Sequence, residues 1–281
     1  MKTNQLELLC CPECNAALEI EKSHSDNNEL ILHCEYCSKD YIGNENFIDF
    51  MGGKSLEFSS KWEKFIRSLY AKIYTPATNA MFLLCGGVKN AKREVLEHLE
   101  IKNDQKILET GVGAAENIYL LNKKANNLEF YGNDIQNQML MHSVRNLKEW
   151  NIQANLYRSD AQFLPFKDES FDVVFHLGSI NLFPDKKRAI DEMIRVAKPG
   201  TKIVIADESQ KAEKLISIFT GENPDATPPV DLIPKEMIDV DFKTIWRGYG
   251  YLIEFRKPFE PVNKSTKQEK KKFKIEELNL A

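Results

Sequence analysis

The sequence predicts an α/β fold, a mostly parallel sheet with helices on both faces and an antiparallel terminal strand, preceded by a small cysteine-rich module. Two observations predict it. Between residues 101 and 257, short apolar runs alternate with helical patterns, the signature of an open parallel sheet. Five of the six cysteines fall in the first 50 residues, among short runs separated by polar residues. At 281 residues the chain is long enough for one sizeable domain and one accessory module.

Four regions follow: a module over 1–50, a helical linker or lid over 51–100, the α/β domain over 101–257 and a polar, lysine-rich tail over 258–281. Within the domain the strands are expected at Lys106–Gly111, Leu128–Asp134, Ala154–Asp160, Phe171–Gly178 and Thr201–Asp207. Helices are expected at about 114–124, 136–150 and 185–197, the last stopped by Lys198-Pro199-Gly200. Residues 221–235 are rich in proline and turn residues and read as a loop or lid. Asp241–Gly248 and Gly250–Lys257 read as a hairpin whose second strand runs antiparallel to the sheet.

Composition narrows the function. A net charge of −4 gives no general attraction for nucleic acid, which leaves RNA the lesser alternative to a small-molecule partner. No run approaches the roughly 18 apolar residues of a membrane span, and the N-terminus has no apolar core suited to a signal peptide. The expected location is cytoplasmic, where thiols stay reduced and a disulfide framework is not expected. Oligomeric state is not encoded in any of these features.

The cysteines have another explanation. Cys11-Pro12-Glu13-Cys14 and Cys34-Glu35-Tyr36-Cys37 are two C-x2-C pairs with 19 residues between them, a spacing suited to structural zinc. Each pair makes a tight knuckle that aims two thiolates at one ion, and two knuckles close a tetrahedral shell. Cys11 is preferred over its neighbour Cys10 because only Cys11 keeps the two-residue spacing. Cys85, alone in an apolar stretch, reads as a core residue.

Three acidic or glycine signals stand at the carboxyl ends of successive strands, where open α/β sheets bind ligands. Glu109-Thr110-Gly111-Val112-Gly113 permits a sharp turn and close backbone approach. Asp134, 21 residues after Gly113, can accept hydrogen bonds from both hydroxyls of a ribose. Asp160-Ala161 combines an acceptor for an adenine amino group with a small residue against the ring. A nicotinamide site needs a third glycine where this sequence has Glu116, and a carboxylate there would repel a pyrophosphate.

The strings ILETGVG, YGNDIQNQML, RSDAQFLPFKDESFDVVF and AIDEMIRVAKPGTKIVIAD resemble the successive motifs of Rossmann-like class I S-adenosylmethionine (SAM) dependent methyltransferases, in particular the group of the ubiquinone/menaquinone C-methyltransferases. The N-terminal string, ending in Phe47-Ile48-Asp49-Phe50, resembles the zinc ribbons that accompany many methyltransferases. The resemblance implies that Glu109, Gly111 and Gly113 line the methionine end of SAM. It implies that Asp134 and Ile135 hold the ribose and flank the adenine, and that Asp160 and Ala161 contact the adenine. His176 and Gly178 would face the sulfonium and acceptor, with His176 the candidate catalytic base, and Tyr74 would belong to an aromatic lid. Ala115 departs from the pattern, standing where a third glycine is usual, and Thr201 replaces a glycine after Lys198-Pro199-Gly200. The implied activity is methyl transfer to a small-molecule acceptor, and the mixed apolar and polar character of the variable segments suits a small or lipophilic one. An RNA methyltransferase and a non-catalytic SAM-binding relative are the alternatives.

Overall fold

A computed structural model describes residues 6–22, 30–52, 82–83, 86–220 and 225–259. Tyr74, Tyr70, Cys85, most of the helical linker and all but two residues of the tail lie outside them. The domain strands form where β-rich apolar runs were expected: β5 (Lys106–Thr110), β6 (Glu129–Asp134), β7 (Ala154–Arg158), β8 (Val173–Leu177) and β9 (Lys202–Glu208). The helices are α1 (Val88–Leu96), α2 (Glu116–Leu121), α3 (Asn137–Glu149), α4 (Lys186–Val196) and α5 (Gln210–Thr220).

Two expectations need correction. Helix α5 occupies a stretch for which the sequence pattern predicts no element. The first strand of the terminal hairpin is displaced, with β10 at Ile238–Ile245 and a tight turn at Trp246–Gly248, while β11 at Gly250–Arg256 begins where expected. Trp246 and Arg247 take left-handed conformations there, with φ of 53° and 56°, so the turn falls earlier than the glycines suggested. Burial explains it, because the Trp246 ring packs where a Cβ on Gly250 would stand, 2.2 Å away. Its indole N–H donates to the Ala91 carbonyl at 3.0 Å.

The cysteine module contributes β1 (Glu19–Lys22), β2 (Leu30–Cys34), β3 (Lys39–Gly43) and β4 (Ile48–Asp49). It is not a separate bead on a linker. All eleven strands join one sheet in the order β1-β2-β3-β4-β7-β6-β5-β8-β9-β11-β10. The run β4-β7-β6-β5-β8-β9 pairs parallel throughout, while β1-β2-β3-β4 at one end and β9-β11-β10 at the other pair antiparallel.

Alternate side chains of these buried strands feed two cores, as a period of two requires. One face gathers Leu108, Tyr131, Tyr157, Val174 and Ile203 together with Leu9, Leu32, Tyr41, Ile48 and Phe50 of the module. The other gathers Ile107, Phe130, Val173, Phe175 and Val204 beneath α1, α2 and α3. The module is further stitched on by Cys10 N–H to the Pro165 carbonyl, Lys167 N–H to the Leu8 carbonyl, and an Arg158–Asp49 ion pair of 2.8 Å. Arg195 holds the receiving loop, donating to the carbonyls of Leu164 and Phe166 while paired with Glu192.

Successive strands step outward from β5 to β7, then the chain returns to place β8 on the other side of β5. That reversal opens a crevice at the carboxyl ends of β5 and β8.

Candidate cofactor cleft and cysteine cluster

The crevice is a cleft of about 400 Å³, within the usual size of a small-molecule site. Its floor is the turn after β5. Gly111 and Gly113 have φ of 68° and 55°, a region L side chains enter at a penalty. A Cβ on Gly111 would also stand 3.1 Å from the His176 ring. Ala115, the residue that replaces a glycine, takes the same left-handed conformation with φ 61°, fully buried.

The turn is held from behind. Val112 N–H donates to the Asn133 carbonyl at 2.9 Å. Asp134 accepts from Gly113 N–H at 3.0 Å and from Gln136 N–H at 2.8 Å. The Ser143 hydroxyl donates to the Gly113 carbonyl, and the Asn146 amide to the Ala114 carbonyl at 2.9 Å. Ser143 and Asn146 were not anticipated, although Ser143 shares the buried stripe of Leu140 and Leu147 on α3.

Glu109, at the end of β5, is 1% exposed. Asn117 donates to its Oε1 at 2.6 Å. Glu109 Oε2 and Asn117 Oδ1 are both buried without a hydrogen-bond partner, and both residues line the cleft. Burial pushes the Glu109 carboxyl up to about 8, against the pull of the Asn117 amide. Burial also raises Asp134, opposed by the two backbone N–H groups it accepts.

The opposite wall follows β8 and β9. Gly178 (φ 81°) faces open space. Asp207 accepts from the backbone N–H groups of Ser179, Asn181 and Glu208, fixing the loop after β8. Burial and the adjacent Glu208 raise Asp207 well above the usual carboxylate range. Phe82, Leu177, Leu182, Met139 and Trp246 supply the apolar lining, and Glu116, Glu208 and Glu213 make the cleft acidic. Lys92, paired with Glu116 at 2.5 Å, is the lining cation among the described residues.

The expected residues therefore separate. Glu109, Gly111, Gly113 and Gly178 line one cleft. Asp134 reaches it through Gly113, with half-buried Ile135 next in sequence. Asp160 instead accepts from Gln162 through both carboxylate oxygens, and it lines a second cleft against Lys39, Tyr41 and Phe50 of the cysteine module. Ala161 beside it is 7% exposed.

His176 does not stand where a base is needed. Its ring is fully buried beneath Gly111, with Nδ1 3.0 Å from the Thr110 hydroxyl. Burial pushes its pKa down to about 4, so the ring is neutral near pH 7. The position at a strand end was correct, but a side chain pointing into the sheet's packing cannot collect a proton from an acceptor in the cleft.

Cys11, Cys14, Cys34 and Cys37 bring their sulfurs within 4.8 Å of one another. The Cys11–Cys37 and Cys14–Cys34 separations are 3.9 and 3.6 Å. A tetrahedral ion with metal–sulfur bonds of about 2.3 Å requires edges of about 3.8 Å, so the donor set fits zinc. The Tyr41 hydroxyl lies 3.2 Å from Cys11 Sγ, placed to donate to a bound thiolate. Cys10 points elsewhere, and burial raises its thiol to about 11.

Residues 107–200 match the family model described as a methyltransferase domain. With the strand order and the crevice, that match gives residues 107–200 the fold of a Rossmann-like class I methyltransferase domain. The demethylmenaquinone methyltransferase of Bacillus cytotoxicus is 31% identical over 121 residues, covering 42% of this chain and 51% of the relative. The ubiquinone/menaquinone biosynthesis C-methyltransferase of Blochmanniella floridana is 28% identical over 169 residues, covering 58% of this chain and 63% of the relative. The chain thus spans about half to two thirds of the length of these curated relatives. Among solved structures, a phosphoethanolamine N-methyltransferase of Haemonchus contortus in complex with S-adenosyl-L-methionine superposes with a TM-score of 0.52 at 17% identity, over 67% of this chain and 57% of that one. A chain from the Haloferax volcanii complex of the Trm112 methyltransferase activator with a putative methyltransferase gives 0.51 at 14% identity, over 60% and 89%. These similarities are likenesses of fold.

Proposed function

We propose that the protein is a SAM-dependent methyltransferase acting on a small-molecule acceptor, with a structural zinc ion in its N-terminal ribbon. The observation that carries this reading is the pair of buried carboxylates, Glu109 and Asp134, at the ends of adjacent strands β5 and β6 around a left-handed glycine turn. Such a turn lets the backbone approach a ligand, and the acidic lining favours a sulfonium cation where it would repel a phosphate. The curated relatives, methyltransferases named for quinone substrates, support the acceptor class.

When bound, SAM supplies a methyl group already activated by its sulfonium. This chain's residues position it. Glu109, Gly111 and Gly113 receive the methionine end, Gly178 faces the sulfonium, and Asp134 and Ile135 hold the ribose and one adenine face, while Asp160 stands apart at the second cleft. Because holding reactants in line supplies much of the acceleration, a protein base is not essential for an acceptor that is already nucleophilic. His176 packs under the turn and holds Thr110. The four-cysteine shell is closed, which suits support and not chemistry.

Incubating the zinc-loaded protein with methyl-labelled SAM and a fractionated extract tests the reading. Label in the organic-soluble small-molecule fraction is expected. Label confined to RNA would replace the acceptor class, and no transfer to any fraction would remove the enzymatic reading.

A further inference from the structure

One cleft residue lies outside every motif that suggested the cofactor. Asn117 stands on α2, eight residues after Glu109, on the face it shares with buried Ile118 and Leu121. An amide on such a stripe, 5% exposed, needs partners for both its ends. The NH2 end has one, Glu109 Oε1 at 2.6 Å. A carboxylate oxygen accepts, so this contact sets the amide's orientation and leaves Oδ1 as the free end. Oδ1 has no partner, nor has Glu109 Oε2, and both residues line the cleft beside Gly111 and Gly113.

Two buried acceptors without a donor are a demand for a group with several N–H bonds. Resting on the methyltransferase reading, we propose that Asn117 is a cofactor-positioning residue whose carbonyl oxygen, with Glu109 Oε2, seats the α-ammonium group of the methionine end of SAM. An ammonium offers three donors and a positive charge, so it satisfies both acceptors and neutralises the carboxylate. Burial of Glu109 strengthens the demand, since a carboxyl held near 8 when unpaired ionises once a cation stands beside it. Asn117 thus has two tasks: its N–H aims Glu109, and its carbonyl reads the ligand's amino group.

The test compares two ligands that differ only beyond the sulfur. S-adenosylhomocysteine carries the amino acid; 5′-methylthioadenosine keeps the adenosine and thioether but lacks it. Both are titrated calorimetrically into the full-length, zinc-loaded wild type, Asn117→Ala and Asn117→Ser, with folding checked by thermal melting. The variants are expected to bind S-adenosylhomocysteine about tenfold or more weakly, the loss of one charge-assisted hydrogen bond, and 5′-methylthioadenosine within about twofold of wild type. Equal weakening of both ligands, or an unchanged S-adenosylhomocysteine affinity in either folded variant, would overturn the role. Wild type that binds neither ligand would instead overturn the methyltransferase reading beneath it.

Discussion

At the scale of the residue, burial decides what each polar group does. His176 is neutral in the folded state because burial drives its pKa down to about 4, below the ordinary value of 6.5. The unfolded chain therefore binds a proton that the folded chain refuses. The stability this provides is complete above about pH 6.5 and is lost as pH falls from there towards 4, on the order of 3 kcal/mol in all. Denaturant titrations of wild type and His176→Gln across pH 4–8 check this, and the variant should lack that part of the acid sensitivity. An identical acid dependence would mean that His176 titrates normally. The same neutrality predicts that methyl transfer shows no His176 ionisation in its pH–rate profile, so the profiles of wild type and His176→Gln should share one shape. The strand-end placement of Glu109, Gly111, Gly113 and Asp134 was legible in the sequence because they obey a fixed spacing. The fates of His176, Asn117 and Ser143 were not, because each depends on which side of its element faces the turn. Polar residues on otherwise apolar helical stripes, Asn117 with Ile118 and Leu121 and Ser143 with Leu140 and Leu147, were the available signal.

At the scale of the element, the cysteine ribbon is an extension of the sheet. Two residues of β4 carry the junction, with Ile48 opposite Tyr157 and Asp49 opposite Arg158. Ile48 is fully buried, so Ile48→Ala should destabilise the protein by about 2–5 kcal/mol, measured by denaturant unfolding. A value below about 1 kcal/mol would mean the ribbon is loosely docked. Stripping the metal should act on the same junction. Chelation, or Cys34→Ser, should lower the melting temperature of the whole chain, because Cys11 and Cys34 share a core with Tyr131 and Tyr157. An α/β domain that melts unchanged without zinc would contradict this. The paired C-x2-C spacing announced the ribbon, but nothing in it announced the docking, since a two-residue parallel strand is too short to leave a periodic signal. Helix α5 escaped for a different reason, a pattern overshadowed by the proline-rich stretch after it.

At the scale of the whole molecule, sheet topology explains why the site is where it is. Reversal between β5 and β8 opens the cleft, and the glycine turn floors it. The far edge depends on Glu254 of β11. Burial opposes its charge, but Lys243, Lys202 and His98 outweigh burial and hold its pKa down to about 2. Its contribution is present above the ordinary carboxylate range and is lost as pH falls from about 4.5 towards 2, a lower window than that of His176. Alternating strand and helix patterns foretold the parallel sheet. Its continuation into the ribbon came from packing between segments more than 100 residues apart. Everything proposed for the cleft after β5 and β6 requires that it receive SAM through Glu109 and Asp134. Calorimetric titration of S-adenosylhomocysteine into zinc-loaded wild type and Asp134→Ala tests it most directly. Wild type is expected to bind, and the variant to lose about tenfold or more in affinity with the removed ribose acceptor. Folded wild type that does not bind, or a folded variant that binds as tightly as wild type, would contradict it.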